Sequence, residues 1–192
     1  ASWGDAQTSR QTDEGRLLRT GNGAAPGTGE DRGAFYFRPT AGDFEATVAL
    51  TELDPLGQAS SGQAAFMVRS DTASEAPKVS IEYSGDASSG TLEFHYREAP
   101  GEVGTLSLGD DVQVSLPVHL RVTRSGTFFS VAYSVDGGNE WLTPTGGPGG
   151  AIELAWLDKT YLGMSASSGE VDISVRAGGV LDRIDKAVGG TV

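Results

Sequence analysis

Apolar and polar residues alternate with period two along most of this chain, in short runs broken by Gly, Pro, Asp and Ser. Phe44, Ala46, Val48 and Leu50 fall on one parity, Glu45 and Thr47 on the other. The same alternation returns in Val79, Ile81 and Tyr83; in Leu92, Phe94 and Tyr96; in Val118, Leu120 and Val122; and in Phe129, Val131 and Tyr133. Successive side chains of a strand leave opposite faces, so each run predicts a half-buried strand with its apolar parity on a shared core. Weaker runs at 16–20, 34–38, 63–69, 112–116, 161–167 and 171–176 bring the expectation to about eleven strands. No helical period interrupts them before residue 177.

Many short strands at this spacing predict an all-β protein, an antiparallel two-sheet sandwich. A chain of 192 residues suits one such core, so residues 1–176 are read as a single domain. Segments 54–62, 70–77, 84–90 and 143–150 carry the chemistry of turns and loops. The tail, 177–192, differs: Val180, Leu181, Ile184 and Val188 recur at helical spacing between two Gly-Gly pairs. It predicts a short amphipathic helix that docks on the sandwich or on a neighbouring molecule; a linker to a further domain is the other reading.

The formal net charge of −12 repels phosphate backbones and anionic lipid, which argues against nucleic acid as a partner. The chain has no cysteine, hence no disulfide framework, and no apolar run near the roughly 20 residues of a membrane span. An initial Ala without Met is what a secreted chain shows after its signal is removed, so secretion or cell-surface attachment is the expected location.

One motif stands out. Ser134, Asp136, Gly138 and Trp141, in SVDGGNEW, form an S-x-D-x-G-x-x-W Asp-box, best known from sialidase blades. Its Ser and Asp satisfy the backbone of a tight turn, its Gly takes a backbone angle other residues resist, and its Trp packs against the hairpin. It is a folding device first. A single copy, no repeat of blade length and too short a chain for several four-stranded blades argue against a propeller.

With its flanks the box reads HLRVTRSGTFFSVAYSVDGGNEW, at 119–141. This resembles the signature of secreted bacterial concanavalin A-like sandwich domains, the enolase-regulation-like accessory family. WGD at 3–5, GTGEDRGAFYFRPTAGDFEATVAL at 27–50 and QAAFMVRSD at 63–71 fall in that family's order, so the similarity spans roughly residues 3–176. The resemblance implies a jelly-roll-like sandwich of two curved sheets that serves extracellular proteins as a non-catalytic binding or structural module.

The same superfamily holds glucanases with an E-x-D-x-E or E-x-D-x-x-E strand, and this chain offers EVDISVR at 170–176. Retaining hydrolysis needs two carboxyls about 5 to 5.5 Å apart. Glu170 and Asp172 could serve as nucleophile and helper, but Ser174, or Val175 in the bulged version, stands where the acid/base belongs, and neither donates a proton near neutral pH. Without Cys, and with only His95 and His119, a Cys nucleophile is excluded and a histidine zinc site disfavoured. No catalytic residue is assigned; a glycoside hydrolase is the weaker alternative.

For binding, strand parity puts Met67 and Arg69, Glu82, and Glu93, His95 and Arg97 on the face opposite the core. Arg69, Glu82, His95 and Arg97 are candidate glycan ligands, with a solvated face of exposed ion pairs as the competing reading. Sugar rings stack their C–H faces on aromatics. Trp141 belongs to its hairpin and Trp3 covers an edge strand, which leaves Trp156 and Tyr161 as candidate platforms. No cofactor is expected; loop oxygens at 84–86, 108–111 and 136–140 could hold a surface calcium ion. The expected partner is an extracellular glycan, or another copy or surface protein met through 178–192 in a surface layer or fibre.

Overall fold

The computed structural model describes residues 2–3, 10–12, 15–20, 31, 33–55, 62–86, 88–100, 106–155, 159–167 and 173–178. Among them are fifteen strands in two sheets. The first sheet runs, edge to edge, Ser2–Trp3 (β1), Gly33–Ala41 (β4), Lys159–Ser167 (β14), Gly62–Arg69 (β6), Lys78–Gly85 (β7), Gly90–Arg97 (β8) and Val112–Val114 (β10), with Leu106–Ser107 (β9) also on β8. The second runs Ala151–Glu153 (β13), Phe128–Ser134 (β12), Val118–Ser125 (β11), Phe44–Pro55 (β5), Ile173–Gly178 (β15), Gly15–Thr20 (β3) and Arg10–Thr12 (β2). Every pairing among them is antiparallel.

Each of the eleven expected segments contains a strand, though that in 112–116 ends at Val114 and residues 171–172 of the last lie outside the described residues, and the class is the expected all-β sandwich. The four strands the alternation does not reveal, β1, β2, β9 and β13, have two or three residues each, too few to display a period. The last strand, β15, continues to Gly178, two residues past the expected domain boundary at 176. The helix expected over 180–188 lies outside the described residues. No described helix is long and apolar enough to cross a membrane.

Register turns the alternation into a core. In the second sheet Val48, Leu120 and Tyr133 align across β5, β11 and β12, and Ala46, Val122 and Val131 form the next row. In the first, Met164, Phe66, Ile81 and Phe94 align across β14, β6, β7 and β8. These rows face each other in one buried cluster; Phe94 of one sheet meets Tyr133 of the other with ring centroids 5.9 Å apart. Each such side chain contributes about 1.5 to 3 kcal/mol by leaving water.

The Ser134–Trp141 turn closes on its own side chains. The Ser134 hydroxyl donates to Asp136 Oδ1 at 2.7 Å and accepts from the Gly138 N–H at 2.9 Å. Asp136 Oδ1 also accepts the N–H groups of Asn139 and Glu140, each at 3.0 Å. The Glu140 N–H, then the Ser134 hydroxyl, hold the Asp136 carboxyl below the usual carboxylate range. Gly138, at φ 89°, sits in the left-handed region that favours glycine.

Gly90 shows how closely the core is fitted. It stands diagonally across from Tyr83, since β7 and β8 pair Gly85 with Gly90 and Tyr83 with Leu92. The Tyr83 ring covers it, and the phenol hydroxyl donates to the Asp86 carbonyl. A methyl group at position 90 would overlap that ring, whose hydrogen bond opposes its moving aside. Gly90→Ala is expected to cost about 1 to 3 kcal/mol in urea unfolding, as overpacked cores do, with a smaller loss in the Tyr83→Leu background.

Candidate binding site

The face of the first sheet turned away from the core carries a row of like charges. Arg69 pairs with Lys78 and Lys78 with Arg97, so the cations of β6, β7 and β8 stand side by side. Adjacent like charges repel, and an unpaired buried cation costs several kcal/mol. The row is nevertheless fully buried. Asp31 makes this tolerable, its carboxylate lying within ion-pair distance of Arg69, of Lys78 at 3.0 Å and of Arg97 at 3.3 Å.

The network extends along β7. Lys78 Nζ donates to Glu82 Oε1 at 3.0 Å, which also accepts the Ser80 hydroxyl at 2.7 Å. The His95 ring lies between two acids, Nδ1 at 3.8 Å from Glu82 and Nε2 at 3.9 Å from Glu93. Burial raises the Asp31 and Glu82 pKa values, but the cations outweigh it and hold both carboxyls below the usual range: Lys78, Arg69 and Arg97 for Asp31; Lys78 and His95, with the Ser80 hydroxyl, for Glu82. For His95 burial opposes the charge, yet Glu82 and then Glu93 prevail and its pKa is raised. Half-buried Glu93 is raised by burial and by the nearby Glu82 and Asp111.

The buried guanidiniums also shape the loop above them. Arg69 donates to the carbonyls of Asp71, Ala73 and Ser74, and Arg97 to those of Ser74 and Ala76. The Asp31 N–H adds a bond to the Ser74 carbonyl at 3.0 Å. Asp71 accepts the Ala73 N–H at 2.9 Å, and a Ser70 to Pro77 bond of 3.0 Å closes the loop at its base.

This loop forms one wall of an open cleft of about 370 Å³, lined by Ser70, Asp71, Ala73, Glu75, Ala76 and Pro77, with Pro100, Lys159 and Tyr161 opposite. Tyr161 lies beside Arg69 in register, half-buried, its ring edge-on to Phe37 at 5.3 Å and the Lys159 ammonium 5.3 Å from its centroid. A partly exposed aromatic that shares a cleft with two prolines, two carboxylates and an ammonium is the composition of a small polar ligand's site.

The candidate residues therefore separate. Arg69, Glu82, His95 and Arg97 come together in one ionic network, the two arginines buried against the 70–77 loop and Glu82 with half-buried His95 farther along β7 and β8, so their charged groups are engaged within the protein. Met67, on the same face, is buried against Phe35 and Ala65. Among the described candidates Tyr161 alone lines the cleft; Trp156 lies outside the described residues, as do Glu170, Asp172 and the Trp3 side chain. Sequence parity passed over Lys78, although it alternates with Ser80 and Glu82. Asp31 carries no periodic signal; only the charge imbalance of the row calls for it. Of the loop carboxylates considered for calcium, Asp86 is engaged with Ser88 and Ser89 and Asp136 with its own turn, and among the described residues no group of three acidic, histidine or cysteine side chains is placed to hold a metal ion.

No family model matches this chain, and no curated protein matches it. Solved structures do. A functionally unknown protein from Saccharomyces cerevisiae superposes with a TM-score of 0.58 at 19% identity, covering 91% of this chain and 92% of that one. The carbohydrate binding module CBM66 from Bacillus subtilis gives 0.51 at 13%, covering 88% of each. The fold is the concanavalin A-like sandwich. A variant of the GH43 protein from Bacillus licheniformis gives 0.53 at 16%, but the sandwich spans only 32% of that chain. At these identities the likeness is one of fold.

Replacing Asp31 leaves Arg69 and Arg97 without their shared carboxylate and Lys78 with Glu82 alone. Asp31→Asn is expected to cost about 3 to 5 kcal/mol in urea unfolding at neutral pH. Because the folded-state pKa values of Asp31 and Glu82 are depressed, their contribution is present above about pH 4 and lost as pH falls through the lower folded values. The variant should thus lose less stability than the parent between pH 5 and 2, read as a smaller drop in the urea midpoint. His95 acts in reverse: its contribution is full below about pH 6.5 and fades as pH rises through its raised value.

Proposed function

We propose that this chain is a non-catalytic glycan-binding module of a secreted or surface protein, and that the cleft between the 70–77 loop and Tyr161 takes the sugar. The observation that carries this reading is the half-buried Tyr161 ring lining the cleft, together with Pro77 and Pro100 and with Asp71, Glu75 and Lys159. The ring receives the C–H face of a sugar; the carboxylates accept its hydroxyl protons, and the ammonium donates to its oxygens. A volume of about 370 Å³ is at the small end of ligand sites and suits a chain end or a short stretch of polysaccharide.

Other features support the reading. The fold is shared with a protein named as a carbohydrate binding module, and the 119–141 signature resembles that of extracellular accessory domains. Asp71 and Glu75 are both exposed, whereas a general acid that works at neutral pH needs one carboxyl shielded enough to keep its proton. The surplus of negative charge favours neutral over anionic polysaccharides.

A glycan array followed by calorimetry tests this. Saturable binding of a neutral glycan, without release of reducing ends, is expected. Tyr161→Ala should weaken binding about tenfold or more, equivalent to about 1.4 kcal/mol, and Asp71→Asn severalfold, while both proteins keep the parent unfolding midpoint within a few degrees. Binding to no glycan, or cleavage of one, would overturn the proposal.

A further inference from the structure

Lys78 is a primary amine that water does not reach, and it does not line the cleft. Its Nζ lies 3.0 Å from each of two carboxylate oxygens, Asp31 Oδ1 and Glu82 Oε1. Both acids are buried as well. Glu82 is four residues away on the same strand. Asp31 is 47 residues away in sequence, and only the fold brings it to Lys78.

The two carboxyls have different surroundings. Asp31 Oδ2 pairs with the Arg69 guanidinium, while Oδ1, shared with Lys78, lies 3.3 Å from Arg97. A cation fixed on one oxygen stabilises the charge that collects there when a nucleophile adds to the carboxyl carbon. Glu82 instead meets groups that exchange protons: Oε1 accepts from Lys78 Nζ and from the Ser80 hydroxyl at 2.7 Å, and Oε2 lies 3.8 Å from His95 Nδ1. One buried amine therefore touches both a carboxyl with a cation on its far oxygen and a second carboxyl suited to carry protons.

We propose that Lys78 and Asp31 condense into an intramolecular amide cross-link, with Glu82 as the proton relay. Lys78 Nζ gives a proton to Glu82 and adds to Asp31 Cγ; the N–C bond forms and the C–O π pair moves to Oδ2, where Arg69 receives it. Glu82 hands that proton to Oδ1, a second proton from Nζ follows by the same route, and the C–O bond breaks as Oδ1 leaves as water. Both hydrogens of that water come from the ammonium, and nothing is oxidised or reduced. The amide removes one charge of each sign, so the cluster's net charge is unchanged, and its oxygen remains an acceptor for Arg69. Two groups held in contact react with effective molarities of up to about 10⁵ to 10⁸ M, and the absence of water opposes the return. The cations that keep Asp31 ionised make the attack slow. Newly folded protein therefore carries the ion pair, and the acid titration described above concerns that form.

Intact-mass spectrometry of the full chain, sampled from the end of expression through days at neutral pH, tests this without reference to any glycan. The parent mass is expected to fall by one water and reach a plateau, and fragmentation of a proteolytic digest should show a branched peptide joining Asp31 to Lys78. Glu82→Gln, with its fold checked by circular dichroism, should cross-link about a hundredfold more slowly or not at all. A folded parent that keeps its full mass throughout overturns the proposal, whether or not the variant folds. So does a lost water whose branch lies elsewhere, as in a Lys78 to Glu82 amide, or whose peptides are unbranched. A folded Glu82→Gln protein that reacts as fast as the parent overturns the relay.

Discussion

The outer layer of the first sheet depends on one carboxylate. Three strands place a cation at the same level, and without Asp31 between them Arg69, Lys78 and Arg97 would repel one another in a region water does not reach. With it, the row becomes a scaffold: the guanidiniums have donors left for the carbonyls of the 70–77 loop, and that loop becomes the wall of the cleft. Buried ion clusters of this kind contribute little net stability compared with apolar packing. Their effect here is positional. They decide where a loop without regular structure lies.

The sandwich thus has two kinds of interior. Between the sheets, Phe94, Tyr133 and their rows pack by area and shape alone, in the manner of any β-sandwich core. Outside the first sheet a second buried layer combines the apolar cluster of Phe35, Ala65 and Met67 with the ionic network. Tyr161 stands where that layer opens into the cleft. The same sheet therefore presents a greasy side to its partner and a charged side that anchors the 70–77 loop.

Much of the core was legible in the sequence, because it rests on parity: Val79, Ile81 and Tyr83 can only face one way once their strand exists. Strands of two or three residues, such as β9 and β13, were not legible, since so few positions show no period and are set by the partner strand. For the site, parity correctly grouped Arg69, Glu82, His95 and Arg97 on one face, but it could not say what lies above them. Burial of that face comes from contacts distant in sequence, with Asp31 some 38 residues from Arg69 and 66 from Arg97. No local pattern encodes such a pairing. The cleft was hidden for the same reason: Tyr161 and the 70–77 loop become neighbours only through the pairing of β14 with β6.

The way the 70–77 loop is held has an evolutionary consequence. Arg69 and Arg97 grip backbone carbonyls, and a carbonyl is the same whatever side chain its residue bears. Side chains on the loop can therefore be exchanged with little effect on its path. Selection, or a library built at Ala73 and Glu75, can change the lining of the cleft while the anchoring arginines stay fixed, much as an antibody varies its loops on a constant frame.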